Sequence, residues 1–361
     1  MKLNTRKMVF SSALFALGWF SLSFSFPLLA IRYDFDYTMT GFLGFLVAYP
    51  FVIAALIDIY ASDRVMNMQI VIIPFLMSIL SIIFIFQSKG FIVILIAITD
   101  LMEAFYWVSM EMLLGSGGEN LEAEKYSTAW GVPSAIMPLV AGIIIQSLGF
   151  RVLFFASFIF MAAGSFFRPK YRANTKETVG NGFDLRFIVP MIFNGIAAGF
   201  VSYVLVPILR VQGVSYVLIG LAVTIMGVSS AVGFVLMNFT GKRSIYTTSS
   251  ISCLLLALPL FVGFTGNLLP IMAILVGTGI GSSIAFSKIL AYISERSSAK
   301  KGVLTYEGFF ALGFIFGSLA LGSAFQAFGK VAVLIAFTVP VVYAVYLVYL
   351  RFSASVKRLT I

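Results

Sequence analysis

Apolar runs of about twenty residues, the length that crosses a bilayer, follow one another along the chain, each cut by a short polar break. Charge, Gly or Asn at the breaks bounds twelve predicted spans: 8–31, 41–60, 68–87, 91–114, 127–148, 152–167, 187–208, 217–239, 245–263, 268–292, 303–326 and 331–350. Helix is the element this pattern implies, because lipid leaves no partner for an unpaired backbone group. The opening run, MVFSSALFALGWFSLSFSFPLLAI, is longer than a signal core of about 7–15 residues and ends at no small-residue cleavage site, so it reads as the first span. The longest break, FRPKYRANTKETVGNGFD, separates the sixth run from the seventh. It divides the chain into a first half, 1–167, a central loop, 168–186, and a second half, 187–361.

Composition leaves lipid as the only adequate solvent. The 361 residues are 60% hydrophobic and 11% charged, with mean hydropathy +1.05, whereas a soluble domain carries about 25% charged residues. The chain has no His and one Cys, Cys253, so no intrachain disulfide forms and the commonest metal ligand is missing. No metal or cofactor is expected. Net charge is +10, and its distribution follows topology. With the first end inside, eighteen of the 24 Lys and Arg residues fall on the inner side and five on the outer side (Arg32, Lys89, Arg151, Arg210 and Lys330), with Lys288 within a span. Basic residues stay cytoplasmic, so both termini are expected in the cytoplasm of a multi-pass cell-membrane protein. The surplus charge then meets anionic lipid head groups, and no basic soluble domain offers a nucleic-acid surface.

A shift of 180 residues superposes the halves. Arg6 meets Arg186, Pro27 meets Pro207, and Tyr126 meets Tyr306. Gly142, Gln146 and Gly149 meet Gly322, Gln326 and Gly329. Pro and Gly act on the backbone, so their coincidence implies helices that bend and pack alike. Two parallel six-helix halves are the expected architecture, a duplication known from one transporter superfamily.

Local motifs agree. The loop ASDRVMNM between the second and third spans, the fifth-span stretch MPLVAG, and EAFYWVSMEMLL in the fourth resemble the major facilitator superfamily over essentially the whole chain. Asp63 and Arg64 match that family's G-x-x-x-D-R-x-G-R-R loop, while Ile59 and Met66 replace its glycines and Asn67 and Met68 its basic pair. Pro138 and Gly142 match G-P-x-x-G-G, and Met137 and Ala141 do not. The resemblance implies an all-α fold of two pseudo-symmetric six-helix bundles, a cavity lined by spans one, four, seven and ten, and a loop Asp that caps a helix start in the other half. Here that is Asp63 aimed near Gly302, with Arg64 as support, together a cytoplasmic gate.

Ionisable residues in spans are costly, about 2.5–3.5 kcal/mol each on insertion scales. The fourth span has three, and one helical stripe about 80° wide holds Asp100, Glu103, Trp107 and Glu111. Two carboxyls a turn apart in a dry setting cannot both stay charged, so Asp100 and Glu103 are expected to share a proton and titrate as a unit. These acids are the expected proton-coupling or cation-binding site. Lys288, on a tenth-span stripe with Gly277, Gly281 and Tyr292, is the expected counter-charge to Glu111 or anchor for an anionic solute. Asp58 is expected to be wetted at the inner end of its span. Glu307 is expected to pair with Lys300 or Lys301, or to be solvated.

Ser21, Ser25 and Asn194 are further cavity candidates, and Arg32 and Arg210 are candidate outer gates. No G-x-x-x-x-G-K-[ST] loop is present to bind ATP. The expected function is a monomeric secondary transporter of a small solute by alternating access, driven by protons, with preference for efflux of cationic or amphipathic compounds. Uptake or facilitated diffusion of a sugar, organic acid or peptide is the alternative. An intramembrane lipid-modifying enzyme using D-L-M-E is remote, because the register partners of Asp100 and Glu103 are Ile280 and Ser283 and supply no second acidic motif. A channel would need rings of like groups.

Overall fold

The computed structural model describes residues 2–115, 120–167, 184–239, 244–259, 261, 265, 267–294 and 298–359. Its α-helices are α1 Lys2–Arg32, α2 Tyr37–Asp58, α3 Asp63–Ile83, α4 Lys89–Gly115, α5 Asn120–Leu148, α6 Phe150–Ser165, α7 Val189–Phe200, α8 Val206–Val211, α9 Tyr216–Phe239, α10 Ile245–Leu256, α11 Leu268–Ser294, α12 Ala299–Ile315, α13 Leu321–Phe328 and α14 Lys330–Leu359. Two five-residue π turns, Val201–Leu205 and Phe316–Ala320, join α7 to α8 and α12 to α13. Each predicted apolar run therefore overlaps one helical rod, the ninth only over Ile245–Leu256. Most of the expected central loop, with Arg168, Lys170, Arg172 and Lys176, lies outside the described residues, as do Lys242, Arg243 and Arg296.

Among the described residues, ten helices are long and apolar enough to cross a membrane. Two further apolar helices, Phe150–Ser165 and Ile245–Leu256, fall at the sixth and ninth of the twelve expected spans and are shorter. At about 1.5 Å per residue, neither reaches the roughly 30 Å of a hydrocarbon core.

Helix starts follow local chemistry. Asp36 caps α2 by accepting from the Met39 amide at 2.7 Å, and Ser62 caps α3 by accepting from Val65. Glycine closes two interhelix corners with positive φ, Gly149 at 86° and Gly329 at 61°, the pair related by the 180-residue register.

Packing repeats with the sequence. The first-half pairs α1–α5, α2–α4, α3–α4 and α3–α6 recur as α7–α12, α9–α11, α10–α11 and α10–α14. Between the halves, α5 packs on α9 and α2 packs on α12. Both contacts are close because glycine faces backbone: a Cβ on Gly220 would strike the Pro138 carbonyl, and one on Gly41 would strike the Ser318 carbonyl. Gln146 accepts a hydrogen bond from the Tyr216 amide at 3.2 Å, and Gln326 accepts one from the Tyr37 amide at 3.2 Å. Each half thus satisfies a free N–H at a helix start of the other. The register partners found in the sequence are two copies of one interface contact.

Candidate functional site

The acidic stripe of α4 faces inward, and its first pair is buried. Asp100 is 0% exposed and Glu103 is 4% exposed. Both Asp100 carboxyl oxygens and Oε2 of Glu103 have no hydrogen-bond partner in the structure. Trp107, one turn along, hydrogen-bonds to Glu103, and its ring lies 5.3 Å from that of Phe15. Tyr203 lies within electrostatic reach of both acids. It sits in the π turn between α7 and α8, a distortion common at functional positions. Gly44 of α2 leaves room beside it, since a Cβ there would meet the Tyr203 ring and the Ser318 side chain. Orphaned carboxyl oxygens in a dry interior are expensive, so they call for a proton or a cation.

Toward the C-terminal end of α4, the partner of Glu111 differs from the expected one. Glu111 hydrogen-bonds to Glu307 of α12, and no ion pair of Lys288 is recorded among the described residues; Arg186 and Asp184 form one elsewhere. That hydrogen bond from Arg186 holds the Asp184 carboxyl below the usual carboxylate range. Glu307 is 6% exposed, so it is neither solvated nor paired with Lys300. Lys300 instead donates to the carbonyls of Ile59 at 3.3 Å and Ala61 at 2.9 Å. The reason is geometric: Glu307 lies about two turns further along α12, on the side that meets α4.

Asp58, expected to be wetted, is 0% exposed. Its carboxylate accepts from the Ser109 hydroxyl at 2.7 Å and from the Gln69 amide at 3.2 Å, and Ser109 also contacts Oε1 of Gln69. Asp63 begins its own helix, where its charge suits the positive helix end. Its backbone carbonyl accepts from the Asn67 side chain. Beside it, Lys300 makes a contact across the halves, its cation meeting the carbonyls of Ile59 and Ala61 just past the end of α2. Arg64 is exposed.

Several other candidates are engaged elsewhere. The hydroxyls of Ser21 and Ser25 donate back to Leu17 and Leu22 of their own helix, both at 2.6 Å, the ordinary behaviour of Ser in an apolar helix. The Tyr292 hydroxyl accepts from the Asp184 amide at 2.8 Å, which ties it to the start of the seventh rod. Asn194 is buried in α7. At the C-terminal ends of α1 and α8, the Arg32 guanidinium lies 5.3 Å from the Phe150 ring centroid, and Arg210 lies 4.2 Å from that of Tyr216. Phe150 and Tyr216 meet edge to face at 5.9 Å. One cation–aromatic–aromatic–cation stack therefore joins the two halves.

Glu307 and Tyr203 are absent from the sequence-derived site. Glu307 had a usable signal, since Phe314 and Ser318 follow it along one helical face. Tyr203 had none, because a π turn leaves no composition mark.

No protein-family model matches the chain, and no curated protein matches it by sequence. Solved structures do match. A POT family transporter in complex with 5-aminolevulinic acid has TM-score 0.76 at 12% identity, covering 97% of this chain and 96% of that one. The peptide transporter POT in complex with sulfate has TM-score 0.75 at 10% identity, over 96% and 94%. A mutant of the nucleoside transporter NupG has TM-score 0.67 at 13% identity, over 96% and 99%. At such identities it is shape that is shared, and the chain has the fold of the major facilitator superfamily.

Proposed function

We propose that the chain is a secondary transporter that moves a small solute by alternating access, with Asp100 and Glu103 as its proton-coupling and cation-binding pair. The observation that carries this reading is the set of orphaned carboxyl oxygens in a fully buried position. Two six-helix halves, 1–167 and 187–361, rock about this pair, with both termini in the cytoplasm. A proton and a cationic solute compete for the same carboxyls, and that competition links their movements. Trp107 and Tyr203 supply aromatic surface for the apolar part of a cationic or amphipathic solute, which favours efflux of such compounds. Uptake of a polar solute is the second reading, supported by the 5-aminolevulinic acid held by one neighbour.

Thermal-shift screening of the purified chain with cationic dyes, amino acids, sugars and organic acids tests the reading. A cationic hit should stabilise more as pH rises, because fewer protons then compete, and the effect should vanish in the Asp100→Asn/Glu103→Gln variant. A hit that ignores both pH and the double substitution would sink it.

A further inference from the structure

We propose that Glu111 and Glu307 form a latch between the two halves at the inner end, closed while they share a proton and released when it leaves. The proposal deepens the alternating-access reading and rests on it. Glu111 belongs to α4 in the first half and Glu307 to α12 in the second, and the two helices touch. Their carboxyls hydrogen-bond to one another. Two ionised carboxylates offer only acceptors, so this bond exists only if one oxygen carries a proton to donate. Glu307 is 6% exposed, so bulk water does not replace its partner.

Among the described residues, no Lys or Arg is recorded in an ion pair with either carboxyl. On α4 itself the next acid is Glu103, whose environment includes the charges of Glu111 and Glu307. On α12, Tyr306 lies beside the pair, and Lys300 is spent on Ile59 and Ala61. From α2 comes Asp58, bound by Ser109 of α4 and Gln69 of α3. From α11 come Lys288, which forms no ion pair among the described residues, and Tyr292, whose hydroxyl is bonded to Asp184. From α7 the buried polar side chain is Asn194. The described side chains of α5, 128–148, include no titratable group.

Release is a simple acid dissociation. One carboxyl O–H bond breaks, its electron pair stays on oxygen, and the proton passes to water at the inner face. Two carboxylates then stand opposite each other in a medium of low dielectric, where like charges repel strongly. One sits on each half, so the repulsion pushes the inner ends apart.

The experiment reads distances without any solute. Spin labels are placed through Phe166→Cys and Phe352→Cys, both exposed inner-end positions on opposite halves, in a Cys253→Ala background in nanodiscs. Between about pH 5 and about pH 9, a range that brackets buried carboxyls, the parent chain should shift toward longer distances as pH rises. Glu307→Gln should lose that shift and stay short, because an amide donates to the Glu111 carboxylate at every pH. Glu111→Gln should do the same from the other side, and it keeps the test decisive if one variant fails to fold. The Asp100→Asn/Glu103→Gln chain should retain the shift. No shift in the parent, an unchanged shift in both Gln variants, or a shift lost only with the midplane acids would overturn the latch. The last result would leave proton coupling at Asp100 and Glu103 standing.

Discussion

The rods α1 and α7–α8 occupy the same place in the two halves and are packed in opposite ways. In the second half, α7 meets α12 backbone to backbone: added Cβ atoms on Gly195, Gly199, Gly313 and Gly317 would strike carbonyls of Phe310, Phe314, Ile192 and Ile196. At the register positions of Gly195 and Gly199, α1 carries Phe15 and Trp19, both buried. Phe15 lies 4.0 Å from the Tyr106 ring and 5.3 Å from Trp107. Interlocked aromatic rings resist sliding, while glycine contacts leave little to interlock. Both π turns also fall in the second half. The duplication has kept the interface contacts, Gln146 with Gln326 and the glycines beside them, and let the interiors diverge. The half that holds Asp100 and Glu103 packs aromatic rings at these positions; the other packs glycine against backbone and carries Tyr203 in a π turn.

Reciprocal substitutions break this contrast, and the largest effect is expected from Trp19→Ala. Removing a buried ring should cost about 3–5 kcal/mol in equilibrium unfolding in micelles. A loss below about 1 kcal/mol would mean that the rings do not stiffen the first half. Gly313→Val should act by the opposite means, overpacking, and cost about 1–3 kcal/mol in the same assay. Tolerance at this position would contradict the close approach of α7 and α12.

The shared part of the comparison is sharpened by Gln146→Ala and Gln326→Ala. Each removes one hydrogen bond across the halves, worth about 1 kcal/mol, and the two effects should be equal and additive. Distances across the outer end should lengthen in both. Unequal losses would show that the two-fold relation is one of sequence and not of mechanics. The smallest effect belongs to Arg186→Gln at the exposed pair with Asp184. Arg186 holds the Asp184 carboxyl below its ordinary range. The stability this contributes is present above the unfolded carboxylate pKa and is lost as pH falls through the folded one. Above about pH 5, where an ordinary Asp is ionised, the melting difference between parent and variant should be flat, and it should shrink only in more acid solution.

Lipid made much of the architecture legible. It demands long apolar helices, so the runs marked the rods, and the register of Gly142, Gln146 and Gly149 marked an interface that backbone geometry keeps fixed. The acids of α4 were legible because a charge in such a run stands out. What escaped depends on how rods are rotated against each other. Glu307 meets Glu111, and Ser109 and Gln69 reach Asp58, only in the assembled chain. The π turns that place Tyr203 carry no residue signature, and the back-bonding of Ser21 and Ser25 is a choice between local acceptors and a neighbour that the sequence does not order.

Proton-driven accumulation in proteoliposomes tests the central claim most directly. With a cationic hit from the thermal screen and an imposed proton gradient, the parent chain should concentrate the solute. The Asp100→Asn/Glu103→Gln chain should fall to the level of empty liposomes. Accumulation undiminished by that double substitution would contradict the assignment of coupling to this pair.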